Sequence, residues 1–301
     1  MNLLEQLKYQ FKQGGMYIKL IYINVGIFIF FGLFTTLFKL MLWNTWQIDT
    51  FKNVLILYTE PYELFTHPWG IISYMFLHHN FGHLFWNMII LFFVGRLFED
   101  SLGPKKMLST YIVGGIFGAL IQIIATNLFP LLSSNGYPVV LGASASVMAI
   151  FSAIAFYNPN REVYLFGTFK IKLIAIALVY ILLDFLRLSN QDNVAHFAHL
   201  GGALWGYIFI ANFKKGKDFS KRFDKWMSFL KGIFKRNKIK IVYSKGKKTT
   251  PKRTKSDYNY NEDKNNRQKK VDAILDKIKD SGYESLSKEE KDYLFDASKN
   301  I

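Results

Sequence analysis

The 301-residue sequence contains no cysteine, so disulfide scaffolds, thiolate metal sites and cysteine nucleophiles are all excluded. Acidic side chains are also scarce: 22 Asp and Glu stand against 38 Lys and Arg, giving a formal net charge of +16. Charge of either sign is thin over the first two thirds. Residues 1–212 hold 12 basic and 9 acidic side chains, whereas residues 213–301 hold 26 and 13. Half of all residues are hydrophobic and 17% are aromatic. One soluble globule does not combine these properties. The sequence describes an apolar body with a basic tail.

Six apolar runs are long enough, or nearly so, for bilayer-crossing helices, which take about 20 residues. They cover residues 17–43, 70–95, 107–129, 140–157, 169–186 and 194–213. None fits a signal peptide, because the first is too long and no small-residue cleavage site follows it. Lys8, Lys12 and Lys19 mark one side of the membrane, together with Arg96, Lys105, Lys106, Arg161, Lys170, Lys172 and the basic tail. The opposite connections carry Lys52 among Asp49, Glu60 and Glu63, then no charge over 130–140, then Arg187 with Asp192. The positive-inside bias puts both termini in the cytoplasm. The aromatic loop 44–69 is expected to lie in the outer interface, either as an aromatic belt or as the rim of a site.

The chain is thus expected to comprise a cytoplasmic N-terminus (1–16), a membrane domain (17–213), a basic flexible linker (214–270) and a small helical segment (271–301). In the last of these, Val271, Ile274, Leu275 and Ile278 keep helical spacing up to Gly282, and Ser287 with Glu290 is a capping-box pattern for a second helix. Basic residues next to a membrane are drawn to anionic lipid headgroups. No nucleic-acid partner is expected.

Polar residues inside spans are costly and point to function. Here they are His78, His79, His83 and Asn87 in span two, Gly142-Ala-Ser144-Ala-Ser146 in span four, and His196 and His199 in span six. These spans all run inward from the outside, and each carries its polar group in the entering half. At 1.5 Å per residue, Ser144 and His199 lie within about 10 Å of the outer surface. His199, Gly202, Ala203 and Gly206 share one face, as do Ala145, Ala149, Ser152 and Ala153, and small faces let membrane helices approach closely. A histidine could then accept the proton of a serine hydroxyl, as a general base must. Asn87 lies one turn below His83, and both could donate to a developing oxyanion.

Taken together, His83-x-x-x-Asn87, Gly142-x-Ser144, Ala198-His199-Leu-Gly-Gly202 with Gly206, and Gly95-x-x-x-Glu99-x-x-x-Gly103 resemble the rhomboid family of intramembrane serine proteases over roughly residues 55–210. The tail, VDAILDKI…SGYESLSKEEKDYLF, resembles an extension on rhomboids of the Bacteroidota, which implies a bacterial source. The resemblance implies an all-α membrane protein with a six-helix rhomboid-like bundle and a basic, partly disordered cytoplasmic tail ending in a short helical hairpin. It also implies the inner membrane as location and transmembrane proteins as substrates, cut near their outer end. Ser144 would be the nucleophile and His199 the general base. His83, Asn87 and the Ser144 backbone N–H would form the oxyanion hole. His78 would be structural.

No metal or cofactor is implied, and the Ser–His dyad would lack an aspartate, leaving packing to orient His199. There are two departures from the family pattern. Ala145 replaces the usual glycine after the serine and adds a methyl group near the oxyanion hole, and Trp69-Gly70 replaces a Trp-Arg pair on the loop.

Other readings fit less well. Ser146 is about 200° around the helix from Ser144 and is expected to pack. His196 shares a face with His199 but lacks the glycine spacing. His67 and His79 read as interfacial, and Asp184 as a boundary residue, solvated or paired with Arg187. A zinc protease needs His-Glu-x-x-His, which is absent. An aspartyl protease needs two intramembrane aspartates, and only Asp184 is available. A transporter should show repeats and a site at midplane. A catalytically inactive rhomboid-like protein that binds or escorts other membrane proteins is the remaining alternative, although such a protein would normally have lost Ser144 or His199.

Overall fold

The structure is a computed structural model that describes residues 2–165, 168–190, 194–234 and 257–298. The chain divides into two units, Met1–Arg236 and Asn237–Ile301. In the first unit, helices α1 (Leu3–Gln13), α2 (Met16–Leu40), α3 (Trp46–Leu55), α4 (Pro61–Thr66) and α5 (Gly70–Ser73) lead into α6 (Phe81–Leu102) and α7 (Pro104–Leu128). Then follow α8 (Ser144–Tyr157), α9 (Leu173–Leu186), α10 (His196–Lys214) and α11 (Ser220–Phe234). Strand β1 (Leu57–Tyr58) pairs antiparallel with β2 (Val139–Val140), and β3 (Glu162–Leu165) pairs with β4 (Phe169–Lys172).

Local chemistry sets the helix boundaries. Asn2 opens α1 with a capping box, its Oδ1 accepting from the Glu5 N–H at 2.9 Å while its own N–H donates to the Glu5 carboxylate at 3.1 Å. Asn80 caps α6, accepting from the His83 N–H at 2.9 Å. Gly103, at φ +86°, makes the one-residue link to Pro104 at the first position of α7.

Among the described residues, three helices, α2, α6 and α7, are long and apolar enough to cross a membrane. Leu33 and Leu37 of α2 and Val179, Leu182 and Leu186 of α9 point outward and are exposed. An exterior this apolar belongs in lipid. Helix α8 is different: every residue from Ala145 to Ala155 is buried, as expected of a helix that is apolar all round. Its 14 residues span about 21 Å, short of the ~30 Å hydrocarbon core. The central helix can be short because its neighbours shield its ends.

Small residues allow this packing. Gly114 of α7 sits against Ala149 and Gly118 against Ala145, while Gly202 and Gly206 of α10 lie on the α8 backbone at Ala145 and Ala149. The Ser152 hydroxyl donates to the Ala203 carbonyl at 2.7 Å, joining α8 to α10.

The second unit holds α12 (Asp257–Ser281) and α13 (Lys288–Ser298). Gly282, at φ +77°, ends α12, and the Ser287 hydroxyl accepts from the Glu290 N–H at 3.2 Å to cap α13. Lys277 pairs with Glu290 at 2.9 Å across the turn. The Lys277 ammonium and the Ser287 N–H hold the Glu290 carboxyl below the usual carboxylate range.

Several boundaries differ from the sequence expectation. The run 70–95 is not one helix: residues 77–80 break it, and α6 starts only at Phe81 because Asn80 caps it there. The linker expected at 214–270 contains α11 and the first part of α12, and its residues 235–256 lie outside the described residues. The aromatic loop carries α3 and α4, and its Trp69 indole donates to the Val54 carbonyl at 2.7 Å. Asp192 also lies outside the described residues.

Candidate active site

Helices α6, α8 and α10 meet where their N-terminal ends gather the polar residues. Ser144 is the first residue of α8, so its backbone N–H has no partner within the helix. The segment before it is tied down twice. The β1–β2 pairing sets Leu57 against Val140, and the Gly142 N–H donates to the Tyr74 carbonyl at 2.9 Å. Gly142 has φ +137°, a conformation that favours glycine. A Cβ there would lie 2.7 Å from His83 Cε1 and 3.7 Å from Ser144 Oγ. The glycine thus lets the imidazole of α6 approach the serine of α8.

His199 lies one turn into α10. Its Nε2 is 2.7 Å from Ser144 Oγ, a hydrogen-bond distance. The start of α10 is held by Gln122 on α7, whose side-chain oxygen accepts from the Ala198 N–H at 3.2 Å. Asn87 is buried and donates to the His83 carbonyl at 2.8 Å. That uses one of its two amide hydrogens and leaves the other available. His78 is buried with its ring 5.1 Å from that of His83 in an edge-on contact, while His79 stacks on His83 at 5.8 Å.

Asp184 is where the sequence reading needs correction. It is neither solvated nor paired with Arg187. At 5% exposure it is buried at the end of α9, and its Oδ1 lies 2.6 Å from His196 Nδ1 and 3.1 Å from His199 Nδ1. His199 therefore has a carboxylate behind it and a serine in front, so packing alone does not orient it. A hydrogen bond to Asp184 requires the proton on His199 Nδ1, which leaves the Nε2 lone pair facing Ser144. Donor atoms of Asp184, His196 and His199 lie within 4.8 Å of one another and could hold a cation by spacing alone. The two hydrogen bonds already account for their closeness.

The two departures are accommodated locally. The Ala145 methyl packs towards Gly118 of α7, which has no side chain to oppose it. Gly70 is buried against the Ile56 carbonyl, where a Cβ would collide. Ser146 is buried against Gly115, away from His199.

A transmembrane bundle of this kind, with a serine and a histidine in contact at the helix ends, can be set beside known families. Residues 66–215 match the rhomboid domain. The chain carries a rhomboid domain over these residues and is a membrane protein.

Residues 255–300 match a family of unknown function, DUF6576. Among curated relatives, the mitochondrial RHOMBOID-like protein 12 of Arabidopsis thaliana is 28% identical over 210 residues, which is 66% of this chain and 58% of the relative. Rhomboid protease AarA of Providencia stuartii is 29% identical, covering 46% of this chain and 54% of the relative. Inactive RHOMBOID-like protein 8 of Arabidopsis thaliana is 29% identical, covering 48% and 36%. The chain spans less than two thirds of the length of each. Rhomboid proteins thus include active proteases and inactive members.

Proposed function

We propose that this protein is an intramembrane serine endopeptidase of the bacterial inner membrane that cuts transmembrane segments of other membrane proteins near their outer end. The observation that carries the reading is the 2.7 Å contact between Ser144 Oγ and His199 Nε2. The bundle crosses the membrane six times, through α2, α6, α7, α8, α9 and α10. The Lys and Arg distribution supports cytoplasmic termini. The site then faces outward, where water for hydrolysis is available.

Ser144 Oγ attacks the scissile carbonyl while His199 Nε2 takes its proton. The tetrahedral oxyanion accepts hydrogen bonds from the Asn87 amide, the His83 ring and the Ser144 backbone N–H, the last at the positive end of the α8 dipole. His199, now doubly protonated, is stabilised by Asp184 and gives its Nε2 proton to the leaving amine. Water, deprotonated by His199, then attacks the acyl-enzyme and frees Ser144. Asp184 is a positioning residue in this scheme. A helical substrate hides its peptide bonds, so segments that unwind readily near their outer end are preferred.

The test is covalent labelling with a fluorophosphonate in detergent. One adduct is expected, mapped by mass to the peptide containing Ser144. Ser144→Ala should take none, and His199→Ala should react at least about 10²-fold more slowly, the smaller end of what a general base contributes. Labelling elsewhere, or an unchanged rate in His199→Ala, would favour the binding or escort reading instead.

A further inference from the structure

The basic helix α11 takes no part in the site above, and the space beneath it is unfilled. A cavity of about 360 Å³ lies between α7, α10 and α11, walled by Val113, Ile116, Trp205, Phe209, Phe223 and Trp226. That volume falls within the roughly 300–1,000 Å³ of small-molecule sites. A second recess of about 430 Å³ shares Phe219 and Arg222 with it and also includes Asn212, Lys217 and Asp218. An apolar slot thus adjoins a polar one.

Two residues that wall the cavity each carry a buried polar atom. Thr110, only 1% exposed, lines the cavity, and its hydroxyl has no hydrogen-bond partner among the described residues. The Trp205 indole Nε1 is likewise buried without a partner. An indole N–H can only donate, so it needs an acceptor. A bare hydrocarbon chain would leave both groups unsatisfied, with their desolvation uncompensated.

The charges agree with this. Asp218, the one carboxylate in the recess, is already engaged: it accepts from the Ser220 N–H at 3.0 Å and hydroxyl at 2.6 Å, and pairs with Lys106 at 3.7 Å. Lys217 and Arg222 form no ion pair among the described residues, and the Arg222 guanidinium lies over the Phe219 ring at 5.9 Å. Two cations with no ion pair among the described residues therefore stand beside an apolar slot.

We propose that this groove binds one anionic phospholipid. An acyl chain fills the apolar cavity and the phosphate lies between Lys217 and Arg222. The groove is at the end of α10 away from His199, so the lipid acts at a distance from the catalytic groups and clamps α11 to α7 and α10. Its assignment to the inner leaflet rests on the orientation proposed above. Binding itself depends neither on that orientation nor on proteolysis.

The test is native mass spectrometry of the full chain in a mild detergent with equal amounts of phosphatidylglycerol and phosphatidylcholine. One phosphatidylglycerol per chain should be retained, roughly tenfold or more over phosphatidylcholine, because both lipids carry the phosphate and only phosphatidylcholine adds a cationic choline that opposes the two basic side chains. Lys217→Gln with Arg222→Gln should abolish that preference. Both positions are at the surface, so the fold is not at risk. Val113→Phe, or Ile116→Phe if the former melts at a lower temperature, should reduce retention of both lipids. Equal retention of the two lipids by the unaltered protein, or retention unchanged by the cavity-filling variant, overturns the proposal. Fluorophosphonate labelling of Ser144 is expected to continue in all these variants, which separates this result from the fate of the protease reading.

Discussion

Asp184→Asn is expected to lower kcat by on the order of 10²- to 10⁴-fold while KM stays within a few-fold, a loss of about 3 to 5 kcal/mol of transition-state stabilisation. In the proposed mechanism the carboxylate touches no substrate. It acts through His199, whose Nδ1 lies 3.1 Å from Asp184 Oδ1. An amide in its place can turn its NH₂ towards Nδ1 and hold the ring in the wrong tautomer, with the Nε2 proton pointing at Ser144. It also cannot stabilise the imidazolium that forms on proton transfer. Asp184→Glu keeps the charge and should restore part of kcat. A purely structural role would lower the melting temperature and the yield of active enzyme without this division between the amide and the longer acid. Kinetics with purified variants on one fluorescent single-span substrate make the comparison. Equal kcat in Asp184→Asn and the unaltered enzyme would show that the contact is idle.

The second large effect concerns packing. Gly202→Val is expected to abolish activity and to destabilise the fold by about 3 kcal/mol or more. Gly202 lies on the Ala145 backbone, so even a Cβ would collide with the Ala145 carbonyl. Helices α8 and α10 would have to separate at the level where Ser144 and His199 meet. Gly32 gives the contrast, because a Cβ at that position on α2 meets nothing within 4 Å. Gly32→Ala should be neutral or slightly stabilising, since alanine favours helix over glycine. Thermal melts of both variants in the same detergent check the pair. A Gly202→Val protein that melts and cleaves normally would contradict the close contact.

Much of this was readable in the sequence, for physical reasons. Lipid demands long apolar runs, so the helices stand out, and it penalises polar side chains, so Ser144, His199, His83 and Asn87 stand out within them. The glycines at 202 and 206 follow helical spacing, which points to a close helix contact before any coordinates exist. Asp184 was missed because spacing could not connect it to anything. Its partners are 12 and 15 residues away across a connection, and a lone acid at the end of an apolar run reads as a boundary residue. The useful signal was position: Asp184 in the last turn of α9 and His196 at the start of α10 lie at the same end of two consecutive helices. The start of α6 falls later than the run 70–95 implies, although His78, His79 and His83 already interrupt that run and Asn80 followed by a helical pattern is a cap signal. The β3–β4 hairpin was not anticipated: the fifth run was expected from residue 169, but Phe169–Lys172 is β4, and the alternation in Phe169-Lys-Ile-Lys was the signal for it. The early start of α12 had no such signal, because residues 257–270 contain no aliphatic side chain to set a helical period.

The most direct measurement is cleavage of a single-span test substrate by the purified protein in liposomes, comparing the unaltered chain with Ser144→Ala and His199→Ala, each checked for folding by thermal melt. The account predicts one cut near the outer end of the substrate span by the unaltered protein and none by either variant. Cleavage that survives Ser144→Ala, or an unaltered protein that binds a varied panel of such spans and cuts none, would contradict it.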